Sequence, residues 1–340
     1  MSQWFTRAWH EGHPALWLLW PLMLLYALIT GLRRWLYRAG IFSAQDFPVP
    51  LVVVGNITVG GTGKTPLTLA LIERLRAEGF KPGVVSRGYG GHGDYPLIVN
   101  EDVIAEECGD EPLTLFRRTA VPLVVDPKRS AAVAHLLANF DCDVVLCDDG
   151  MQHYALARDI EIAVIDGARG VGNGHLLPMG PLREPVSRLH SVQQVVINGD
   201  GFVWPASAAM TLAQQPWQNL RREEAVAPVP GDQVHAVAGI GNPARFFAQL
   251  RTQGYVVTEH AFPDHHVYST RELSFADGRP VVMTEKDAVK CMALAEPGWW
   301  YVPVKAVLPE DFYVTLLQSL QAVRQKKMQQ KQRPQKESAR

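Results

Sequence analysis

The chain has 340 residues, of which 47% are hydrophobic and 20% charged, with a formal net charge of −1. This is a normal globular balance, enough for one large domain or two of ordinary size, and it argues against a nucleic-acid partner. The four cysteines, Cys108, Cys142, Cys147 and Cys291, form no C-x-x-C pair and read as reduced thiols in a cytosolic compartment.

Residues 1–40 read as a membrane-anchoring unit. From Ala15 to Leu32 there is no charged side chain, close to the ~20 residues a spanning helix needs. Trp17, Trp20, Trp35, Tyr26 and Tyr37 supply interfacial aromatics. Arg33, Arg34 and Arg38 follow and favour a cytoplasmic body. A cleaved signal peptide lacks its basic start and its cleavage site. A buried core helix is the competing reading. Pro21 and the marginal length leave open whether the helix spans the bilayer or lies in its interface.

The next segment, 41–228, alternates strands with helices. "PVPLVVVGN" is a buried parallel strand, and a glycine loop and the helix "PLTLALIERLRAEG" follow it. Further strands are "KPGVVS", "VPLVVD", "CDVVLCDDG", "IEIAVIDG" and "VQQVVING", with the helix "KRSAAVAHLLANF" after the second of these. "VWPASAAMTLAQQPWQNL" fits the pattern poorly. The proline-rich "APVPGD" reads as a linker into a second, smaller α/β domain, 229–323. That part contains the strand "VHAVAGIG", the helix "PARFFAQLRTQG", the strands "YVVTEHAF", "PVVMTEKDAVK" and "WWYVPV", and a last helix at "EDFYVTLLQSLQAVRQ". Residues 324–340 are basic and glutamine-rich and read as a disordered tail with a possible affinity for anionic lipid. The expected fold class is therefore α/β: a doubly wound, P-loop NTPase-like sheet domain, a smaller C-terminal α/β domain and an N-terminal apolar membrane helix.

"TVGGTGKTP", residues 58–66, stands where a phosphate loop belongs, between strand and helix. The usual pattern is G-x-x-x-x-G-K-[ST], and here Thr58 replaces the leading glycine. Thr58, Gly60, Gly61, Thr62 and Gly63 are the expected cradle, their N–H groups turned to phosphate oxygens. Lys64 would reach the β- and γ-phosphates, and Thr65 would hold Mg²⁺. "DVVLCDDG" is an apolar strand ending in acid, so Asp148 and Asp149 are the expected metal carboxylates, although Asp-Asp-Gly is also ordinary turn chemistry.

Further clusters exceed what a simple ATPase switch needs. They are Asp110 in "ECGDEP", Arg87 in "SRGYGG", Arg129 in "DPKRS", Gln152 and His153 after the paired acids, Arg183 with Glu184 in "GPLREP", and His265 with His266 in "PDHHVY". Each alone reads as a solvated loop residue. The two histidines lack a third ligand for zinc.

Taken together, "VGNITVGGTGKTP", "SRGYGG", "GDEP", "DDGMQH", "GPLREP", "FPDHHVY" and "TEKDAVK" resemble the tetraacyldisaccharide 4'-kinase (lipid A 4'-kinase) family of Gram-negative bacteria. The resemblance runs from the apolar helix to about residue 322, and the family's loop shares the Thr58 departure. It implies ATP- and Mg²⁺-dependent phosphorylation of the 4'-hydroxyl of an acylated glucosamine disaccharide 1-phosphate, giving lipid IVA. It also implies a cleft between two α/β domains at the cytoplasmic face of the inner membrane. By resemblance Asp110 is the base that activates the sugar hydroxyl, His265 pairs with it across the cleft, and the pairing requires domain closure. Arg129 and Arg183 are candidates to neutralise developing charge or grip the acceptor's 1-phosphate; Arg87, Gln152, His153 and Glu184 accompany them. Lys286 reads as structural, pairing with Asp287 or a neighbouring carboxylate. The chain is expected to act as a monomer.

Other functions fit less well. A partitioning-type membrane ATPase carries a lysine where this loop has Val59. A GTPase-like metallochaperone needs an N-K-x-D motif. A kinase for an acceptor without acyl chains leaves the first helix unexplained.

Overall fold

In the computed structural model, which describes residues 3–221, 223 and 225–337, the run Leu51–Gly55 (β1) is buried along its whole length. Such a strand needs cover on both faces. Val52 and Val54 share one core with Leu67, Leu71 and Leu75 of the helix Lys64–Ala77. Leu51 and Val53 share the other with Val133 and Leu136 of the helix Arg129–Asn139. The two-residue period of the strand thus sorts its side chains into two layers.

Pro82–Ser86 (β2), Leu97–Ile98 (β3), Leu123–Val125 (β4), Val144–Asp148 (β5), Ile160–Asp166 (β6), Gln194–Asn198 (β7) and Ala208–Gln214 (β8) follow. Next come Gln218–Asn219 (β9), Gln233–Ala238 (β10), Val256–Ala261 (β11), Val281–Thr284 (β12), Trp299–Val302 (β13) and Val304–Val307 (β14). The larger, nine-stranded sheet has the order β14-β8-β7-β6-β1-β5-β2-β4-β3. Its interior pairs are parallel, and only the edges β3 and β14 run antiparallel. The five-stranded sheet has the order β11-β10-β12-β13-β9. It is covered on one face by Phe246, Phe247 and Leu250 of the helix Pro243–Thr252, and on the other by Ala288 and Cys291 of the helix Glu285–Cys291.

Four expectations change here. The segment that fitted poorly supplies β8, parallel to β7. "PVVMTEKDAVK" is strand only through Thr284; Glu285–Cys291 is helix, capped where the Thr284 side chain accepts from Asp287 N. The expected domain boundaries are crossed twice, because β9 joins the small sheet while β14 returns to the large one. The supposedly disordered tail continues the last helix, Glu310–Glu337. Phe312, Leu316 and Leu320 bury that helix in the main core, and Lys327 Nζ lies 2.7 Å from Asp46 Oδ1 and 3.1 Å from Asp159 Oδ2. A packed first half supplies the nucleus, and Gln, Lys and Arg propagate it. Residues 338–340 of the expected tail lie outside the described residues.

The N-terminal unit forms a helix Gln3–Glu11, a 3-10 turn Pro14–Leu19 and a helix Trp20–Arg38. Pro21 sits in the first turn of the last of these, where a missing N–H costs nothing. Pro14–Arg38 is long and apolar enough to cross a membrane. It does not behave as a core helix: Leu18 is 82% exposed and Leu28 67%.

Asp287 ties the small lobe together. Its carboxylate accepts from Gly239 N at 3.0 Å, Tyr268 OH at 2.9 Å and Thr284 Oγ1 at 2.6 Å, and Lys290 Nζ lies 2.9 Å away. Asp287→Ala strands the buried Lys290 cation and is expected to cost about 3–5 kcal/mol. Denaturant melts will check this; a loss below about 1 kcal/mol would show that the network is dispensable.

Candidate active site

The phosphate loop leaves the carboxyl end of β1, the side of an open α/β sheet where ligands bind. Thr58 is extended and bridges antiparallel to Leu182, while Val59 N donates to Pro181 O at 2.9 Å. Left-handed backbone is needed at Gly60 (φ 97°) and Gly63 (φ 96°), and Thr58 is outside it. That is why threonine is tolerated at this position. The helix starts at Lys64, so its positive end faces the loop.

Asp148, the last residue of β5, is almost fully buried. Its Oδ1 accepts from Thr68 Oγ1 at 3.1 Å, and its Oδ2 has no partner among the described residues. Burial, then the charge of Glu111, raises its pKa to about 7. Asp149 follows in the left-handed region (φ 48°), which turns its side chain to Lys64 Nζ at 3.6 Å and Arg183 Nη1 at 3.3 Å. Burial opposes ionisation there, but the Lys64 and Arg183 cations outweigh it and hold the carboxyl at about 2. A strained aspartate beside a neighbour of opposite titration is a pattern of functional sites.

Asp110 opens the helix Asp110–Thr119. His265 reaches it from the small lobe, with Nδ1 at 2.9 Å from Oδ2. His265 is also left-handed (φ 62°), and its ring lies 4.9 Å from that of Tyr89. Lys286 Nζ lies 3.1 Å from Asp264, 3.3 Å from Glu111 and 3.8 Å from Asp110. Burial would raise the Asp110 pKa; the His265 hydrogen bond and the Lys286 charge prevail and hold it below its ordinary value. Those carboxylates likewise push Lys286 above the ordinary lysine value against its burial. Lys286 therefore serves the acidic cluster, and the partner of Asp287 is Lys290. The two lobes meet at the loop: a Cβ on Gly241 would lie 3.7 Å from Gly61 N and 3.8 Å from Asp264 Oδ2.

The remaining residues divide by what they touch. Arg183 and Glu184, adjacent in sequence, turn apart. Arg183 takes Asp149, whereas buried Glu184 accepts from Gln152 Nε2 at 2.8 Å, Arg188 Nε at 3.2 Å and Tyr154 OH. Gln152 is thereby fixed beside Arg183, 3.4 Å from its Nη1. Arg129 is buried and donates to the backbone oxygens of Asp126 (3.2 Å) and Asp149 (3.3 Å). His153 is held at about 4 by burial and by the cations of Arg129, Arg158, Arg33 and Arg87. Arg87 itself is exposed. Glu111, Asp264 and Asn56, inside the motifs "GDEP", "FPDHHVY" and "VGNITVGGTGKTP", also touch this site, as do Asn198 and Arg169, which no motif marked.

A strand–loop–helix phosphate cradle, paired acids on the neighbouring strand and an acid–histidine pair spanning two lobes define a P-loop phosphotransferase. Comparison narrows the class. The family model LpxK, tetraacyldisaccharide-1-P 4'-kinase, matches residues 15–321. The tetraacyldisaccharide 4'-kinase of Tolumonas auensis is 50% identical over 325 residues, covering 94% of this chain and 97% of the relative. That of Pseudomonas fluorescens is 51% identical over 321 residues, covering 92% and 94%. The crystal structure of LpxK from Aquifex aeolicus in complex with ATP superposes with a TM-score of 0.77 at 27% identity, covering 90% of this chain and 99% of that one. The chain belongs to the LpxK family and is a kinase.

Proposed function

We propose that this chain transfers the γ-phosphoryl group of ATP to the 4'-hydroxyl of tetraacyldisaccharide 1-phosphate, giving lipid IVA. The observation that carries this reading is the Asp110–His265 pair, brought from two lobes to the mouth that also holds Lys64 and Asp149. A sugar hydroxyl is a poor nucleophile and gains from a positioned base. Ionised Asp110 takes the hydroxyl proton as the oxygen bonds to phosphorus, and the bond from phosphorus to the ADP oxygen breaks. Lys64, Arg183 and the N-terminal end of the helix Lys64–Ala77 face the charge that moves onto the phosphoryl and ADP oxygens.

The residues also fit a divalent cation. Asp148 Oδ2 is buried at the strand end without a partner among the described residues, and Thr65 follows Lys64 on the facing helix. No group of three His, Cys, Asp or Glu among the described residues builds a metal site alone. Mg²⁺ would therefore be shared with phosphate oxygens, whose charge it would offset. The exposed face of Pro14–Arg38 supports placement at the cytoplasmic face of the inner membrane, where an acylated acceptor resides. We read the protein as a monomer.

Mass spectrometry of the disaccharide 1-phosphate lipid, incubated with the purified chain, ATP and Mg²⁺, tests the proposal. The expected product carries one added phosphoryl group on the distal glucosamine. Unchanged lipid alongside steady ATP hydrolysis would favour a membrane ATPase instead.

A further inference from the structure

Three side chains hold consecutive carbonyl oxygens of the phosphate loop. Asn56 Nδ2, just past β1, donates to Gly60 O at 3.4 Å. Arg169 Nη2, from the loop after β6, donates to Gly61 O. Asn198 Nδ2, the last residue of β7, donates to Thr62 O at 3.1 Å. In a planar trans peptide the C=O and the following N–H point in opposite directions. Holding the carbonyls of residues 60, 61 and 62 outward therefore turns the N–H groups of 61, 62 and 63 inward, as an anion nest requires. Each of these peptides has a glycine on at least one side, so without the clamp each is free to flip and present a repelling carbonyl.

We propose that Arg169 is a positioning residue that locks the phosphate loop in its anion-binding form, acting with Asn56 and Asn198. The inference rests on reading this loop as the site of the ATP phosphates. Arg169 is itself anchored: its backbone N donates to Asp166 Oδ1 at 2.9 Å, and Nη2 lies 3.2 Å from Asp166 Oδ2. Asp166 ends β6, the direct neighbour of β1, so the sheet register delivers the guanidinium to the loop. Gly60 permits the approach, because a Cβ there would lie 2.9 Å from Arg169 Nη1. This arginine acts on the loop through a carbonyl oxygen, whereas Lys64 and Arg183 face the paired acid Asp149.

The test compares Arg169→Met, which keeps the bulk, with Arg169→Lys, which keeps a charged donor of nearly the same reach. ATP binding is measured by calorimetry on the full chain, and KM for ATP and for lipid is measured separately. Arg169→Met is expected to weaken ATP binding about tenfold, the loss of one charge-assisted hydrogen bond. KM for ATP should rise in parallel while KM for lipid stays unchanged. Arg169→Lys should recover most of the loss. Unchanged ATP affinity in Arg169→Met, a loss that Lys does not relieve, or equal effects on both substrates would overturn the proposal. If Arg169→Met does not fold, Asp166→Asn provides the reading: a severalfold weaker ATP affinity supports the clamp and an unchanged one overturns it. Absence of ATP binding in the unaltered chain would instead overturn the ATP reading, and this inference with it.

Discussion

Asp110→Asn is expected to lower kcat by about 10²–10⁴-fold, the range a general base contributes, while leaving KM for lipid nearly unchanged. The amide keeps the shape and can still bond His265, so the loss isolates proton acceptance from packing. The pH profile adds a second reading. Asp110 is held below its ordinary value of 3.8, so the acid limb it sets in kcat/KM lies on the acid side of that value. The sign follows: the group is ionised and active above its folded pKa, and activity is lost as pH falls through it. His265→Ala removes the largest of the influences that lower it, so the limb should move to higher pH. Near-normal turnover in Asp110→Asn would remove it as the base, and an unmoved limb in His265→Ala would show that the histidine does not tune it.

Lys64→Ala is expected to cost about 10²–10³-fold in kcat, the scale of removing one preorganised charge-stabilising donor. Lys64 is 8% exposed and 3.6 Å from Asp149, inside the mouth that Asp149 and Arg183 share. A second consequence is electrostatic. Lys64 is the largest influence favouring ionisation of Asp149, so its loss should raise that carboxyl from about 2. Lys64→Arg keeps the charge but widens a head group in a nearly closed site, and it should rescue little. Single-turnover kinetics at saturating ATP separates chemistry from binding; a rate within tenfold of the unaltered chain would place Lys64 outside the transition state.

Much of this was legible because it obeys local rules. An apolar run such as Leu51–Gly55 becomes a buried strand wherever it is covered, and glycines at 60 and 63 mark the positive φ that the loop needs. The paired acids at the end of β5 and the apolar helix near the start were likewise readable from periodicity and position. Misreadings arose where tertiary contact overrides propensity. Residues 324–340 read as too polar to fold, yet as far as Glu337 they extend a helix whose earlier turns are buried and whose Lys327 is anchored to Asp46 and Asp159. The strand "PVVMTEKDAVK" stops at Thr284 because that side chain caps a helix.

What the sequence by itself determined is the parallel core, the phosphate loop with its lysine, and the residue types able to carry phosphoryl transfer, since backbone period, glycine conformation and side-chain chemistry are properties of short segments. Only the tertiary structure decided who meets whom. Asp110 and His265 are 155 residues apart, and Arg118 meets Glu285 across 167. Arg129 reaches the backbone oxygen of Asp149, Arg183 leaves Glu184 for Asp149, and Lys286 joins three carboxylates. Those pairings depend on where loops from two sheets converge, and the direction of a side chain in a loop is set by the neighbours that fold against it.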